Sequence, residues 1–155
     1  MHAQTTDTRT TDGALVDSAA RLRMAIVRTA RRLRQEAAGG GSELTPTGAS
    51  ALATVERHGP LTPSELAEVE RVKRPTATRT LRLLEEAGLV DRAADPADGR
   101  SSLVSVNAAG RERLRRLRGR KNAYLARRMR DLPDHDVETL ERAAEILEGI
   151  LEDRR

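Results

Sequence analysis

Residues 61–107 read LTPSELAEVERVKRPTATRTLRLLEEAGLVDRAADPADGRSSLVSVN. The run Thr62-Pro63-Ser64-Glu65 is a helix start: the Thr62 hydroxyl is spaced to accept from the Glu65 amide, and the Glu65 carboxylate to accept from the Thr62 amide. A short helix through Leu66 and Val69 follows. Beyond Glu70–Lys73, Pro75 suits a first helical position, where its missing N–H leaves no bond unmade. Ala77, Leu81 and Leu84 then set one apolar stripe on a helix that stops at Ala87-Gly88, leaving Arg74, Thr76, Thr78, Arg79 and Arg82 mostly off that stripe. Residues 89–93 and 103–106 are short strand candidates on either side of Asp95-Pro96-Ala97-Asp98-Gly99-Arg100, a loop of turn formers, so this end of the stretch reads as a β-hairpin.

Working outward, Thr45-Pro46 caps and starts a helix that runs to about Arg57 and ends at His58-Gly59-Pro60. Before it, Leu15, Ala19, Leu22, Ile26, Ala30, Leu33 and Ala37 recur at three and four, the period of an amphipathic helix, which is expected to stop at Gly39-Gly40-Gly41. On the far side, Asn107 can cap a long helix in which Leu114, Leu117, Tyr124 and Leu125 share a face, ending near Leu132-Pro133. Asp134 is expected to cap the last helix. There Val137, Leu140, Ala144, Leu147 and Leu151 form a narrow seam of the kind that packs along another helix. The expected organisation is a disordered arm over 1–13, an N-terminal dimerisation helix over 14–38, a compact domain over 44–107 and C-terminal dimerisation helices over 108–155. Leu15, Leu22, Ile26, Leu125, Leu140, Leu147 and Leu151 carry the dimer seams.

Composition agrees with this mainly helical reading. Nineteen leucines and twenty-three alanines stand against one aromatic residue, Tyr124, so the core is built of aliphatic helix faces and an all-β sandwich is disfavoured. The chain has no cysteine, which excludes disulfides, a thiolate nucleophile and thiol redox sensing; His2, His58 and His135 are too scattered for a histidine-only metal site. The acids Asp134, Asp136, Glu138, Glu141, Glu145 and Glu148 spread around one helix and read as solvated or dipole-favouring groups. No convergent nucleophile, base or metal set is visible, so the chain is not expected to be an enzyme. Apolar runs are only a few residues long, so no membrane partner is expected and the protein is placed in the cytoplasm.

Charge is distributed unevenly. Lys+Arg exceed Asp+Glu by 28 to 24, and 26 of the 28 are arginine, suited to planar recognition of phosphate and guanine, although codon bias produces the same excess. Residues 71–82 carry Arg71, Lys73, Arg74, Arg79 and Arg82 with no acid; residues 111–130 carry ten basic residues and one acid, which reads as a solvated face; residues 131–155 carry three basic and nine acidic.

Two short helices with a tight connection, the second rich in Arg and Thr at its start, followed by a hairpin with an arginine at its tip, make a winged helix-turn-helix. A helix N-terminus offers free N–H groups and partial positive charge to phosphate, its first-turn side chains reach major-groove base edges, and a thin hairpin fits the adjacent minor groove. The phrases LTPSELA, RPTATRTLRLLEEAGLV and DPADGRSSLVSVN, at this spacing, closely resemble the MarR family of bacterial transcriptional regulators. The resemblance covers nearly the whole chain, flanking helices included. It implies a homodimer on a palindromic double-stranded DNA operator, acting as a repressor, with a small anionic or phenolic effector bound between the dimer helices and the winged domain; effector residues are not readable.

Carried over by position, Pro75, Thr76, Thr78 and Arg79 match residues that face the major groove, with Arg74 as a phosphate partner and Arg82 on the same helix. Asp98 and Arg100 match the wing pair, the carboxylate orienting the guanidinium for the minor groove. Thr62 and Ser64 lie where a helix start touches phosphate, beside their plainer role as caps. Tyr124 reads as core or interface. A winged helix used only for protein contact, or for double-stranded RNA, is the rival reading.

Overall fold

The computed structural model describes residues 5–38, 44–96 and 101–151. Six helices and one hairpin follow in the order α1 (Thr5–Ala38), α2 (Pro46–His58), α3 (Pro63–Val69), α4 (Arg74–Glu86), β1 (Val90–Ala94), β2 (Ser102–Val106), α5 (Ala108–Met129) and α6 (Asp134–Leu151). The fold is mainly helical with a two-stranded antiparallel wing, as the pattern of caps and stripes predicts.

The core sits under α4. Leu52 and Val55 of α2, Leu66 of α3, Leu81 and Leu84 of α4 and Val104 of β2 are buried together. Leu52, Leu81 and Val104 are fully enclosed, and truncation of such a side chain to alanine costs about 2–5 kcal/mol. The hairpin is in register Val90↔Val106 and Arg92↔Val104. It is fastened to the helices by an isolated bridge in which Leu61 and Val104 exchange both backbone bonds, at 3.0 and 2.8 Å. The wing is therefore rooted beside the start of α3 rather than hanging from α4 alone.

Three junctions set the pose of α4. Thr45 caps α2 by accepting from Gly48 N at 3.1 Å. Glu70, just past α3, accepts from the hydroxyls of Ser50 and Thr54 on α2, locking the first two helices of the domain. Asn107 accepts from Gly110 N at 3.0 Å as the cap of α5, while its Nδ2 donates to Gly88 O and Asp91 Oδ1 at 3.1 and 3.2 Å. One amide thus joins the end of α4, the first strand and α5. The close approach there demands glycine at 110: a Cβ would stand 2.1 Å from Leu89 O.

Two expectations are revised. Helix α1 begins at Thr5, inside the stretch expected as a disordered arm; residues 1–4 lie outside the described residues. Apolar periodicity reports what a helix buries, and the stretch contains no proline to stop the backbone from continuing past the buried part. Asp134 is the first residue of α6 rather than its cap, because Pro133 O accepts from Asp136 N and Val137 N; the acid instead sits in the first turn, where it complements the helix dipole.

The flanking helices are unevenly covered. The C-terminal part of α1 packs on α5: Ala37 is buried, and Arg120 donates to Ala37 O at 3.2 Å, satisfying a carbonyl at the helix end. Leu15, Leu22, Ile26, Leu125, Leu140 and Leu151 are exposed in the single chain, Leu147 is half-buried, and α6 has no buried residue. Among the described residues no helix is long and apolar enough to cross a membrane.

Candidate nucleic-acid interface

Helix α4 has two faces of opposite character. Ala77, Leu81 and Leu84 point into the core, so Arg74, Pro75, Thr76, Thr78, Arg79 and Arg82 are left exposed on the other side. Its cap, Lys73, supplies no side-chain bond to the helix N-terminus, and Pro75 stands at the second helical position rather than the first. Thr76 N and Ala77 N both donate to Lys73 O, at 2.9 and 3.2 Å, and Pro75 has no N–H, so what opens to solvent among cations is the positive end of the dipole. Among the described residues the side chains of Lys73, Arg74 and Arg79 form neither a hydrogen bond nor an ion pair, whereas Arg82 pairs with Glu86 one turn on. Such an exposed pair contributes little to stability but directs that guanidinium along its own helix. Among the described residues the Thr78 hydroxyl has no hydrogen-bond partner, and Thr76 O accepts from the Thr80 hydroxyl at 2.9 Å.

At the start of α3 the expected capping box is present. Thr62 N donates to Glu65 Oε2 at 2.7 Å and Thr62 Oγ1 accepts from Glu65 N at 3.2 Å. The Thr62 backbone bond, then its hydroxyl, hold the Glu65 carboxyl below the usual carboxylate range. Thr62 and Ser64 are half-buried, so Thr62 spends its hydroxyl on the cap. Asp98 and Arg100 lie outside the described residues.

A feature absent from sequence reasoning ties the wing to α4. Arg92 on β1 donates from Nε to Glu85 Oε2 at 3.0 Å and from Nη1 to Ser102 Oγ at 2.6 Å, so one guanidinium bridges α4 and both strands. The partners are seven residues apart across a chain reversal, a spacing that no local pattern marks.

Behind α4 lies a cleft of about 620 Å³ between the start of α2, the C-terminal half of α4 and the first turns of α5, with Leu44, Leu83, Ala87, Arg113 and Arg116 in its walls. Among the described residues Arg113 Nε is buried with no hydrogen-bond partner, a donor whose desolvation is uncompensated. Tyr124 is not a core residue. It is half-buried, Arg32 Nε donates to its hydroxyl at 3.2 Å, and the guanidinia of Arg32, Arg128 and Arg127 lie 5.4, 5.5 and 5.7 Å from the ring centroid. The Arg32 bond, then Arg128, lower the phenol below its ordinary value.

The MarR family model matches residues 44–102, the span from α2 into the wing. An HTH-type transcriptional regulator of Mycobacterium bovis is 35% identical over 143 residues, covering 90% of this chain and 99% of the relative. The chain belongs to the MarR family of transcriptional regulators. Among solved structures, a transcriptional regulator protein from Pseudomonas aeruginosa superposes with a TM-score of 0.78 at 32% identity, covering 88% of this chain and 95% of that one. The fold is also that of an S. aureus MepR mutant bound to an oligodeoxyribonucleotide, at TM-score 0.65, 18% identity and coverage of 87% and 98%. The likeness to these structures extends beyond the winged domain to the flanking helices.

Proposed function

We propose that this MarR-family regulator is a sequence-specific double-stranded DNA-binding repressor that acts as a homodimer on a palindromic operator, in the cytoplasm, and responds to a small anionic or phenolic effector. The observation that carries the reading is the outer face of α4, where Arg74, Thr76, Thr78 and Arg79 are exposed at an uncapped helix start while the opposite face anchors the core. In the major groove, Thr76 and Thr78 read base edges and Arg74 and Arg79 take phosphates; that a MepR mutant of this fold is bound to an oligodeoxyribonucleotide supports the reading. Asp98 and Arg100 are assigned to the minor groove on the family resemblance alone. Thr62 and Ser64 bring the start of α3 to the backbone, Thr62 through its fixed cap rather than a free hydroxyl.

Dimerisation is supported by the exposed stripes of α1 and α6: Leu15 and Leu151 are 67% and 81% exposed, and a soluble chain rarely leaves contiguous aliphatic surface of this kind open. A two-fold axis then sets two copies of α4 about 34 Å apart, one turn of DNA. Effector response is supported by the cleft behind α4, where Leu44, Leu83 and Ala87 are joined by Arg113 and Arg116 against the single carboxylate of Glu112, a lining that suits an acidic amphipath; filling it would press on α4 directly. A gel shift with the duplex upstream of the protein's own transcription unit, set against duplex RNA, tests the reading. A shift of the DNA alone is expected, and equal binding of RNA, or of neither, would overturn it.

A further inference from the structure

The turn that enters α4 and the turn that leaves it have the same backbone. Arg71, at φ 52°, donates to Glu68 O at 3.2 Å and Val72 N to Ala67 O at 2.9 Å; Gly88, at φ 68°, donates to Glu85 O at 2.9 Å and Leu89 N to Leu84 O at 3.0 Å. Both are Schellman caps, in which the left-handed residue is ordinarily glycine because a Cβ there crowds the neighbouring carbonyl. The molecule meets one backbone demand with glycine at 88 and with arginine at 71. Arg71 is the single non-glycine residue with positive φ among the described residues.

Beyond the two backbone bonds of the turn, no side-chain contact of Arg71 among the described residues offsets that strain. The Arg71 side chain is exposed and, among the described residues, forms no hydrogen bond or ion pair. It stands three residues before Arg74, on the turn that presents the uncapped start of α4, with the unpaired Lys73 between them. A residue type standing against a backbone preference, in an exposed turn and with its charge unspent, points to a contact made outside the chain. We infer that Arg71 is a further DNA-binding residue: its guanidinium takes a backbone phosphate beside the N-terminus of α4, and the left-handed turn holds it on that face. The inference rests on the DNA-binding reading and extends its contact set ahead of the helix.

The test compares wild type, Arg71→Gly and Arg71→Lys by melting and by fluorescence anisotropy on a mixed-sequence duplex of about three helical turns across a salt series. Glycine removes the cation and the strain together, so the variant is expected to melt about 2–4 °C higher yet bind roughly tenfold more weakly. Its log–log salt slope is expected to be shallower by about 1.8 for the dimer, one phosphate per half-site. Arg71→Lys, which keeps the point charge, is expected to recover the slope. Wild-type affinity and slope in Arg71→Gly would overturn the inference while leaving the DNA-binding reading intact. So would a loss of affinity accompanied by a lower melting temperature, since the arginine would then be supporting the fold. Wild-type protein that binds no duplex at low salt would instead bring down the functional reading, and this one with it.

Discussion

Arg92 on the first wing strand donates to Glu85 on α4 at 3.0 Å, and the same guanidinium reaches Ser102 on the second strand. The wing and the helix it follows are therefore braced against each other by one side chain. Both partners are partly exposed, at 29% and 40% for the two side chains, so the pair adds at most about 1 kcal/mol to stability. Its effect is on the relative pose of the wing and α4, the two elements assigned to DNA in the proposed function. Arg92→Ala is expected to leave thermal unfolding nearly unchanged and to weaken duplex binding severalfold, with Glu85→Gln milder and the double variant no worse than Arg92→Ala. Fully additive losses in anisotropy titrations would show that the two residues act separately.

Gly110 has no room for a side chain, because a Cβ would lie 2.1 Å from Leu89 O and 2.7 Å from Val106 Cγ1. A backbone carbonyl cannot swing aside as a side chain can. Gly110→Ala is expected to destabilise the protein by about 2–3 kcal/mol despite the better helix propensity of alanine, whereas Gly119→Ala, with nothing within 4 Å, should stabilise by about 0.4–1 kcal/mol. Urea unfolding of the two variants checks the opposite signs.

What the sequence discloses is what lies close along the chain. The Thr62–Glu65 box, the Thr45 and Asn107 caps and the α4 stripe of Ala77, Leu81 and Leu84 all rest on spacings of three or four, and each appears where the spacing puts it. Pairings across a chain reversal carry no such mark: Glu85 with Arg92, Glu70 with Ser50 and Thr54, and Asn107 with Gly88 depend on how elements pack. Tyr124 lies half-buried at the α1–α5 contact rather than in the core; its bond to Arg32 across that contact carries no local mark, whereas Arg127 and Arg128 stand three and four residues on along its own helix. The left-handed Arg71 had a faint signal, because the break between α3 and α4 contains no glycine.

Tyr124 is the sole aromatic residue, so ultraviolet titration of its phenolate reports one group. Arg32 and Arg128 favour the anion, and the midpoint is expected below the ordinary 10.0. Arg32→Ala should move it back up. The linkage follows in sign: an acid whose folded value is depressed adds stability at high pH and loses it as pH falls through the folded value, so nothing is contributed near neutrality. A wild-type midpoint at or above that of Arg32→Ala would contradict the contact.

Glu65 has the same sign at the other end of the scale. Its folded value is lowered by the Thr62 bonds, so the cap of α3 is fully formed above the ordinary carboxylate range and is lost as pH falls through the depressed value. Thr62→Ala should cost about 1 kcal/mol at neutral pH. The difference between wild type and Thr62→Ala should shrink in acid, as measured by unfolding at pH 7 and pH 3.

The central claim is that the outer face of α4 reads duplex DNA, and it is tested most directly by anisotropy titrations of wild type, Arg79→Ala and Thr78→Ala against a set of operator variants over a salt series. With about eight phosphates neutralised by the dimer, the log–log slope for wild type is expected near −7. Arg79→Ala should weaken all sequences alike and flatten the slope, while Thr78→Ala should change the order of preference among operators and leave the slope in place. A flat salt response, or operator preference untouched by Thr78→Ala with slope untouched by Arg79→Ala, would contradict the account.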